Sequence, residues 1–317
     1  MTVLFDKAYE FEFIDRHNVY SERITGLAMS FEIEKNLTEL PNAATFRITN
    51  MNPVHREMIE EPEIYCSLKA GYQYGGQPLG QIFTGAITDA FSSPSGTDII
   101  TEIEVMDGFL NWRDEITSVS FSPHVPKATT LKKNINQNST AKNILRYAAN
   151  DMGLPITFEN GLEDYLFKNG FSYYGAAREA IARVCKAAGY RWTIQNNVIN
   201  ILSNVWSITD SGIVIAAGAG MVGSPERLRR TAKQTAKVKD EETGKKVNVK
   251  TARPKFDGWR ITTLLRPEIQ AGDYFICRAK SAPFTTGKTV RATNIRHGGS
   301  TEDKNWYTQI EASEQDV

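Results

Sequence analysis

Two stretches more than two hundred residues apart read nearly alike, and a chain that repeats itself in this way is built from one unit used twice. Phe46-Arg47-Ile48-Thr49 returns as Trp259-Arg260-Ile261-Thr262, each followed by a proline, Pro53 and Pro267. An apolar run with a cysteine comes next, Ile64-Tyr65-Cys66-Ser67-Leu68 and then Tyr274-Phe275-Ile276-Cys277. A Thr-Gly pair follows in each, Thr84-Gly85 and Thr286-Gly287. The closing strand Thr101-Glu102-Ile103-Glu104-Val105 matches Thr308-Gln309-Ile310-Glu311-Ala312. From Arg47 to Thr101 is 54 residues and from Arg260 to Thr308 is 48. Like order at like spacing predicts a small β-domain present in two copies, with Arg47 equivalent to Arg260 and Thr101 to Thr308.

The repeats flank a region of different period. Before it, alternation through Leu27, Met29, Phe31 and Ile33, then Ala44 to Ile48, Ile64 to Tyr72, Gln81 to Ala90 and Asp98 to Val105, predicts at least five strands. A short helix starts at Pro53, where the missing N–H costs nothing. In the middle, a helix from an N-cap at Ser139 to Met152 carries Ala141, Ile144, Leu145 and Ala148 on one face, with Gly153 just beyond its end. A second helix starting at Ser172 or Tyr173 has the stripe Ala177, Ala180, Ile181, Val184, Cys185 and Ala188, and Gly189 stops it. A hairpin follows, 190–194 and 198–202, turning at Asn196-Asn197. The chain is therefore expected to be mainly β with an α/β insert. Two tube-like antiparallel β-barrels, at 1–112 and 206–317, flank a two-helix plus hairpin module at 113–205.

Charge is balanced, with 37 basic and 37 acidic residues, so no global field draws the chain to nucleic acid or a lipid surface. The N-terminal residues lack the pattern of a signal peptide, and the uncharged apolar stretch Gly212 to Pro225 is too short and glycine-rich to span a bilayer. Cys66, Cys185 and Cys277 lie far apart in apolar settings and read as buried thiols. The local exception is 227–255, where eleven basic residues meet three acidic ones, a surplus of eight positive charges. Its candidate binding residues are Arg227, Arg229, Arg230, Lys233, Lys237, Lys239, Lys245, Lys246 and Lys250. Ala236, Val238, Val247 and Val249 around Asp240-Glu241-Glu242-Thr243-Gly244 predict a polar hairpin. Such a ribbon is marginal in water without a partner. It reads as a solvated loop, as a ribbon docking on an acidic protein surface, or as a contact to DNA phosphates; cations without interleaved aromatics do not read bases.

Motifs for chemistry fare poorly. Gly218-Ala219-Gly220-Met221-Val222-Gly223 is a formal GxGxxG, but it lacks the helix and the second buried parallel strand that a dinucleotide site needs, so no cofactor is expected. His17, His55, His124 and His297 show no metal spacing. Glu102 with Glu104, and Glu159 with Glu163 and Asp164, are carboxylate pairs by spacing but read as solvated faces.

An ordered set of short motifs resembles the baseplate hub proteins of contractile-tailed, Mu-like bacteriophages, which are related in fold to the hub module of type VI secretion spike proteins. The set is Pro41-Asn42, Ile48-x-Asn50, Leu68-x-Ala70-Gly71-Tyr72, Ile82-Phe83-x-Gly85-x-Ile87, Asp107-Gly108, 187–192, Gly223-Ser224-Pro225, and Leu264-Leu265-Arg266-Pro267 before Gly272-Asp273. The resemblance implies a non-enzymatic virion protein of the tail baseplate, assembled in the host cytoplasm. It also implies a homotrimer whose six barrels join a sixfold tail tube to a threefold central spike, with other baseplate proteins nearby and DNA passing through the lumen. The segment 227–255 is longer than the family pattern provides. A tail-associated cell-wall hydrolase, or a receptor- or carbohydrate-binding β protein using Trp112, Trp206 or Trp306, are the alternatives.

Overall fold

The computed structural model describes residues 6–15, 21–73, 78–122, 139–203, 212–230, 236–239, 246–249, 256–280, 283–303 and 306–314. The first group of elements is β1 (Lys7–Asp15), β2 (Ser21–Ile24), β3 (Met29–Asn36), β4 (Ala43–Thr49), α1 (Pro53–Ile59), β5 (Ile64–Tyr72), β6 (Gly80–Ser95) and β7 (Asp98–Met106). The middle holds α2 (Phe109–Asp114), β8 (Ile116–Phe121), α3 (Ala141–Met152), β9 (Ile156–Phe158), β10 (Phe171–Ala176), α4 (Ala177–Ala188), β11 (Tyr190–Gln195) and β12 (Val198–Ser203). The last group is β13 (Val214–Ala216), β14 (Met221–Arg230), β15 (Ala236–Lys239), β16 (Lys246–Val249), β17 (Phe256–Leu264), β18 (Tyr274–Arg278), β19 (Lys288–Ser300) and β20 (Trp306–Ser313).

The fold is mainly β, and 13 strands from the first and last groups share one largely antiparallel sheet. Its path runs β14-β17-β20-β19-β3-β4-β7-β6-β5-β1-β2, with β18 and β13 branching from β19. The strand pairings contain the same order twice: β3-β4-β7-β6-β5-β1 in the first half and β14-β17-β20-β19-β18-β13 in the second. One difference is the last pair, antiparallel for β1 with β5 and parallel for β13 with β18.

Each half rolls around its own core. Phe11 of β1 and Phe46 of β4 lie four strand steps apart along the path, roughly 19 Å on a flat sheet. Their ring centroids are 5.4 Å apart, edge to face. Alternating inward residues of all seven strands, including Phe13, Phe31, Ile48, Leu68, Phe83 and Ile103, fill this first core. The hydrogen-bonded ladder is left open at β2 and β14 among the described residues. Ile215, Ile261, Phe275, Phe284, Val290, Ile295 and Ile310 make the second core. Leu265 and Trp306 belong by sequence to the second half yet pack into the first core, where Trp306 meets Phe31 at 5.6 Å and Tyr72 at 6.2 Å. The cores are thus keyed together.

The middle elements form a third core on α3 and α4. Ile144, Leu145, Ala148 and Met152 face Ala180, Ile181 and Val184, all buried, as a 3.6-residue stripe requires. Two boundaries differ from expectation. The N-cap of α3 is Thr140, and Ser139 instead donates its hydroxyl to the Phe167 carbonyl at 2.8 Å. Residues 171–176 are a strand paired with β8, so α4 starts at Ala177. Phe171 and Tyr173 pack on the core while Ser172 and Tyr174 are exposed, an alternation of period two that a short segment before a helix conceals. The hairpin β11–β12 turns at Asn196 and Asn197 with φ of 52° and 62°, the left-handed pair that a two-residue hairpin turn demands.

Candidate interaction surfaces

The register of the two halves is fixed by a matching irregularity. On β6 the ladder to β7 runs Ala86–Met106, Ile87–Val105, then Asp89–Glu104, so Thr88 is an extra residue. On β19 the ladder to β20 runs Arg291–Ser313, Ala292–Ala312, then Asn294–Glu311, so Thr293 is the extra residue. From these bulges Thr101 is equivalent to Thr308, and each hydroxyl meets the residue at the equivalent position: Ser92 lies 3.1 Å from the Thr101 hydroxyl, His297 3.0 Å from that of Thr308. Arg47 and Arg260 are not equivalent. Arg260 faces Glu311 as Thr45 faces Glu104, whereas Arg47 faces Glu102. The slip is two residues. Each arginine still lies beside a carboxylate, at 2.7 Å for Arg47 and Glu102 and 3.8 Å for Arg260 and Glu311, because a two-residue slip preserves the face. The Thr-Gly match also fails, since Thr84 aligns with Thr289 and not with Thr286.

The halves meet edge to edge. The early part of β19, 288–291, pairs with β18, and the same edge from Asn294 to Ser300 pairs with β3 from Asn36 to Ser30. Arg296 forms an ion pair with Glu32 across this seam, and Asn294 donates to Glu34 at 3.1 Å. Gly299 sits where a Cβ would meet the rings of Phe31 and Trp306 at 2.7 and 2.8 Å, so the aromatic key needs a residue without a side chain.

All three cores touch at a buried polar cluster. Lys35 of β3 is fully buried and donates to Asn196 Oδ1 and Gln270 Oε1, both at 3.0 Å. Asp107, just past β7, accepts from the Asn42 backbone at 2.7 Å, the Asn42 amide at 3.0 Å and the Asn196 backbone at 3.1 Å. Asn42 passes the link on to the Ile194 carbonyl at 2.7 Å. Asp273 accepts from the Gln270 backbone at 2.8 Å. Burial pushes Lys35 down to about 8 against the pull of Asp107 and Asp273, and pushes Asp107 up to about 6. Burial drives His297 down to about 3, with Lys35 acting in the same direction, so it is neutral in ordinary conditions. Asn42, Asp107, Gly108 and Asp273 come from three separate short motifs of the sequence, and the cluster is where those motifs converge.

The basic segment is a hairpin where it is described. β15 and β16 pair with each other, Ala236 opposite Val249 and Val238 opposite Val247, as a two-stranded sheet of their own. At its root Arg227 lies over the Trp259 ring at 4.8 Å and pairs with Asp257, which also lies 3.6 Å from Arg229. Two of the candidate cations are therefore held locally. Arg230, Lys237, Lys239 and Lys246 have described backbone positions in β14, β15 and β16; Lys233, Lys245 and Lys250 lie outside the described residues.

The GxGxxG run follows β13 and lies in a turn at 217–220 and the start of β14, with no helix to meet a pyrophosphate. Glu102 is tied to Arg47, Glu159 accepts from the Ser203 backbone at 2.5 Å, and Asp164 from that of Lys142 at 3.0 Å. Among the described residues no group of His, Cys, Asp and Glu could hold a metal, and no helix is long and apolar enough to cross a membrane. Trp306 is buried and Trp112 is covered by Arg178 at 4.7 Å, so neither forms an exposed platform; Trp206, like His17 and His124, is outside the described residues.

No family model and no curated protein matches the sequence. Solved structures do. The prophage MuSo2 43 kDa tail protein from Shewanella oneidensis superposes with a TM-score of 0.61 at 13% identity, covering 97% of this chain and 99% of that one. A tail protein from Neisseria meningitidis MC58 gives a TM-score of 0.61 at 9% identity, covering 96% of each chain. The Escherichia coli c3393 protein, described as a component of the type VI secretion system with structural similarity to T4 bacteriophage tail proteins gp27 and gp5, gives 0.54 at 11% identity, covering 90% and 73%. At these identities the likeness is one of fold, and it extends over almost the whole chain. The chain has the fold of the phage tail and type VI secretion hub proteins.

Proposed function

We propose that this chain is a structural, non-enzymatic hub of a phage tail baseplate. The observation that carries the reading is the twofold use of one strand order within a chain that has the tail-protein fold. Three copies of a chain with two like halves offer six like positions. A ring of that kind meets a sixfold tail tube with one face and a threefold spike with the other, and closed symmetry builds it from one gene product. The units are a first tube-like half near 1–112, the α/β module near 113–205 and a second tube-like half near 206–317. The shared buried cluster would hold them together as one adaptor. The protein would be a virion component put together in the host cytoplasm, touching tube, spike and neighbouring baseplate proteins. No cofactor enters this role. The basic ribbon would order against an acidic surface of one of these partners, with DNA in the lumen as the competing contact.

The test is the mass in solution, by sedimentation equilibrium, of the purified chain alone and with candidate spike and tube proteins. Trimers that bind both support the hub. A monomer that binds neither, or a clearing zone on a peptidoglycan zymogram, overturns it.

A further inference from the structure

We propose that β14 of one copy pairs, antiparallel, with the outer half of β6 of the next copy, residues 226–230 lying opposite 89–93. The argument is internal. Within the chain, the seam between the halves is β3 laid on the outer half of β19. By the bulge register, β6 is the counterpart of β19, with Asp89 standing for Asn294 and Ser93 for Gly298. By the ladder register, β14 is the counterpart of β3, since Glu226 faces Arg260 as Glu32 faces Thr45.

Both counterparts are unpaired where the seam would be. β6 pairs with β5 from Gly80 to Ala86, and beyond that this edge has no partner strand among the described residues. β14 is the last strand of the sheet path. The burial agrees. On β19 the seam residues Ile295, His297 and Gly298 are buried, whereas on β6 their counterparts Ala90, Ser92 and Ser93 are partly or fully exposed. Phe91, the counterpart of Arg296, is 47% exposed. A long unpaired edge with an exposed aromatic is a template for another strand.

Transferring the β3–β19 register places Leu228 opposite Phe91, Arg229 opposite Ala90 and Glu226 opposite Ser93. The half-buried Leu228 thus covers the exposed ring. One step further, Pro225 would lie opposite Pro94. Neither has an N–H to give, so the ladder ends there. The occupant is a second copy of this chain because the seam it completes is the one the chain already makes with itself. Head-to-tail pairing of this kind closes into a ring or grows without end according to its rotation. The strand pairing rests on the internal repeat; three-copy closure rests on the hub reading above.

The experiment is disulfide trapping in the full chain under air with a copper catalyst. Glu226→Cys with Ser93→Cys, and independently Leu228→Cys with Phe91→Cys, should give covalent dimers and trimers on non-reducing gels. Directly opposed strand residues bring their Cβ atoms to about 5 Å. Glu226→Cys with Ser92→Cys, on opposite faces, should give at least tenfold less. Cys66, Cys185 and Cys277 are buried and should stay silent. Trimers in solution without cross-links at either pair overturn the pairing and leave the hub standing. Cross-links at both pairs in open chains of growing mass support the pairing and overturn the trimeric hub. Cross-links confined within one chain, or no association at all, overturn the proposal.

Discussion

Thr88 and Thr293, 205 positions apart in sequence, are the same residue of the same bulge. Each is the extra residue on the fourth strand of the repeated order, β6 or β19. Each turns its hydroxyl onto the carbonyl of the equivalent glutamate across the ladder, Glu104 at 3.2 Å and Glu311 at 2.9 Å. A bulge adds local twist to a strand, and here it stands where each long strand leaves its inner partner and runs on along the edge. Valine has nearly the shape of threonine without the hydroxyl. Thr293→Val, partly buried, should cost about 1 kcal/mol in urea unfolding. Thr88→Val, in an exposed setting, should cost less. Equal and negligible effects would mean that the hydroxyls do not hold the bulges.

The buried cluster predicts opposite slopes with pH. His297 has an ordinary value of 6.5 and a folded value of about 3. Between those limits the unfolded chain binds more protons, so its contribution to stability is present above 6.5 and is lost as pH falls through 3. Asp107 has an ordinary value of 3.8 and a folded value of about 6. Its contribution is present below 3.8 and is lost as pH rises through 6. Denaturant midpoints taken from pH 7 to 4 should therefore fall less in His297→Asn than in the parent, and more in Asp107→Asn. The same sign of change in both variants would rule out this assignment.

Asp107→Asn should also be costly at neutral pH. The carboxylate accepts from three N–H groups and balances Lys35, whereas an amide turns an N–H toward one of those donors. Removing one partner of a buried charge pair typically costs about 3–5 kcal/mol. A loss below about 1 kcal/mol by urea denaturation would show that the cluster is not energetically coupled.

The α/β module should behave as packing. Ile181→Ala or Leu145→Ala should cost about 2–5 kcal/mol, with Val184→Ala at or below the low end of that range. Both larger residues are fully buried between α3 and α4. Calorimetry reads the loss. Unchanged stability in Ile181→Ala would contradict the packing role.

Replacing Lys237, Lys239, Lys245 and Lys246 by glutamine should weaken association with an acidic partner in low salt and leave the fold unchanged by circular dichroism. Exposed charges are screened beyond roughly 8–10 Å at physiological ionic strength, so parent and variant should converge as salt is raised. Unchanged assembly would reduce the ribbon to a solvated loop. Unchanged assembly with impaired DNA delivery would favour the lumenal contact.

Local signals in the sequence carried far where one residue type dictates one geometry. Pro53 begins α1, with the Asn52 side chain accepting from Val54 at 2.9 Å, and Asn196-Asn197 makes its turn. The stripe through Ile144, Leu145 and Ala148 and that through Ile181 and Val184 determined two helices and the face each buries. Repetition determined that one strand order occurs twice. Register was another matter. Arg47 and Arg260 looked equivalent because alternation of period two is blind to a slip of two, and the bulges at Thr88 and Thr293 leave no mark in composition. Tertiary structure alone brought Lys35, Asp107, Asn196 and Asp273 to one buried point. A charge enters a core only where distant segments supply its partners, and no local pattern encodes that meeting. It likewise decided that β3 covers the edge of β19 while the matching edge of β6 has no partner strand among the described residues, since the strands that would distinguish them have the same alternation and differ in what lies beside them.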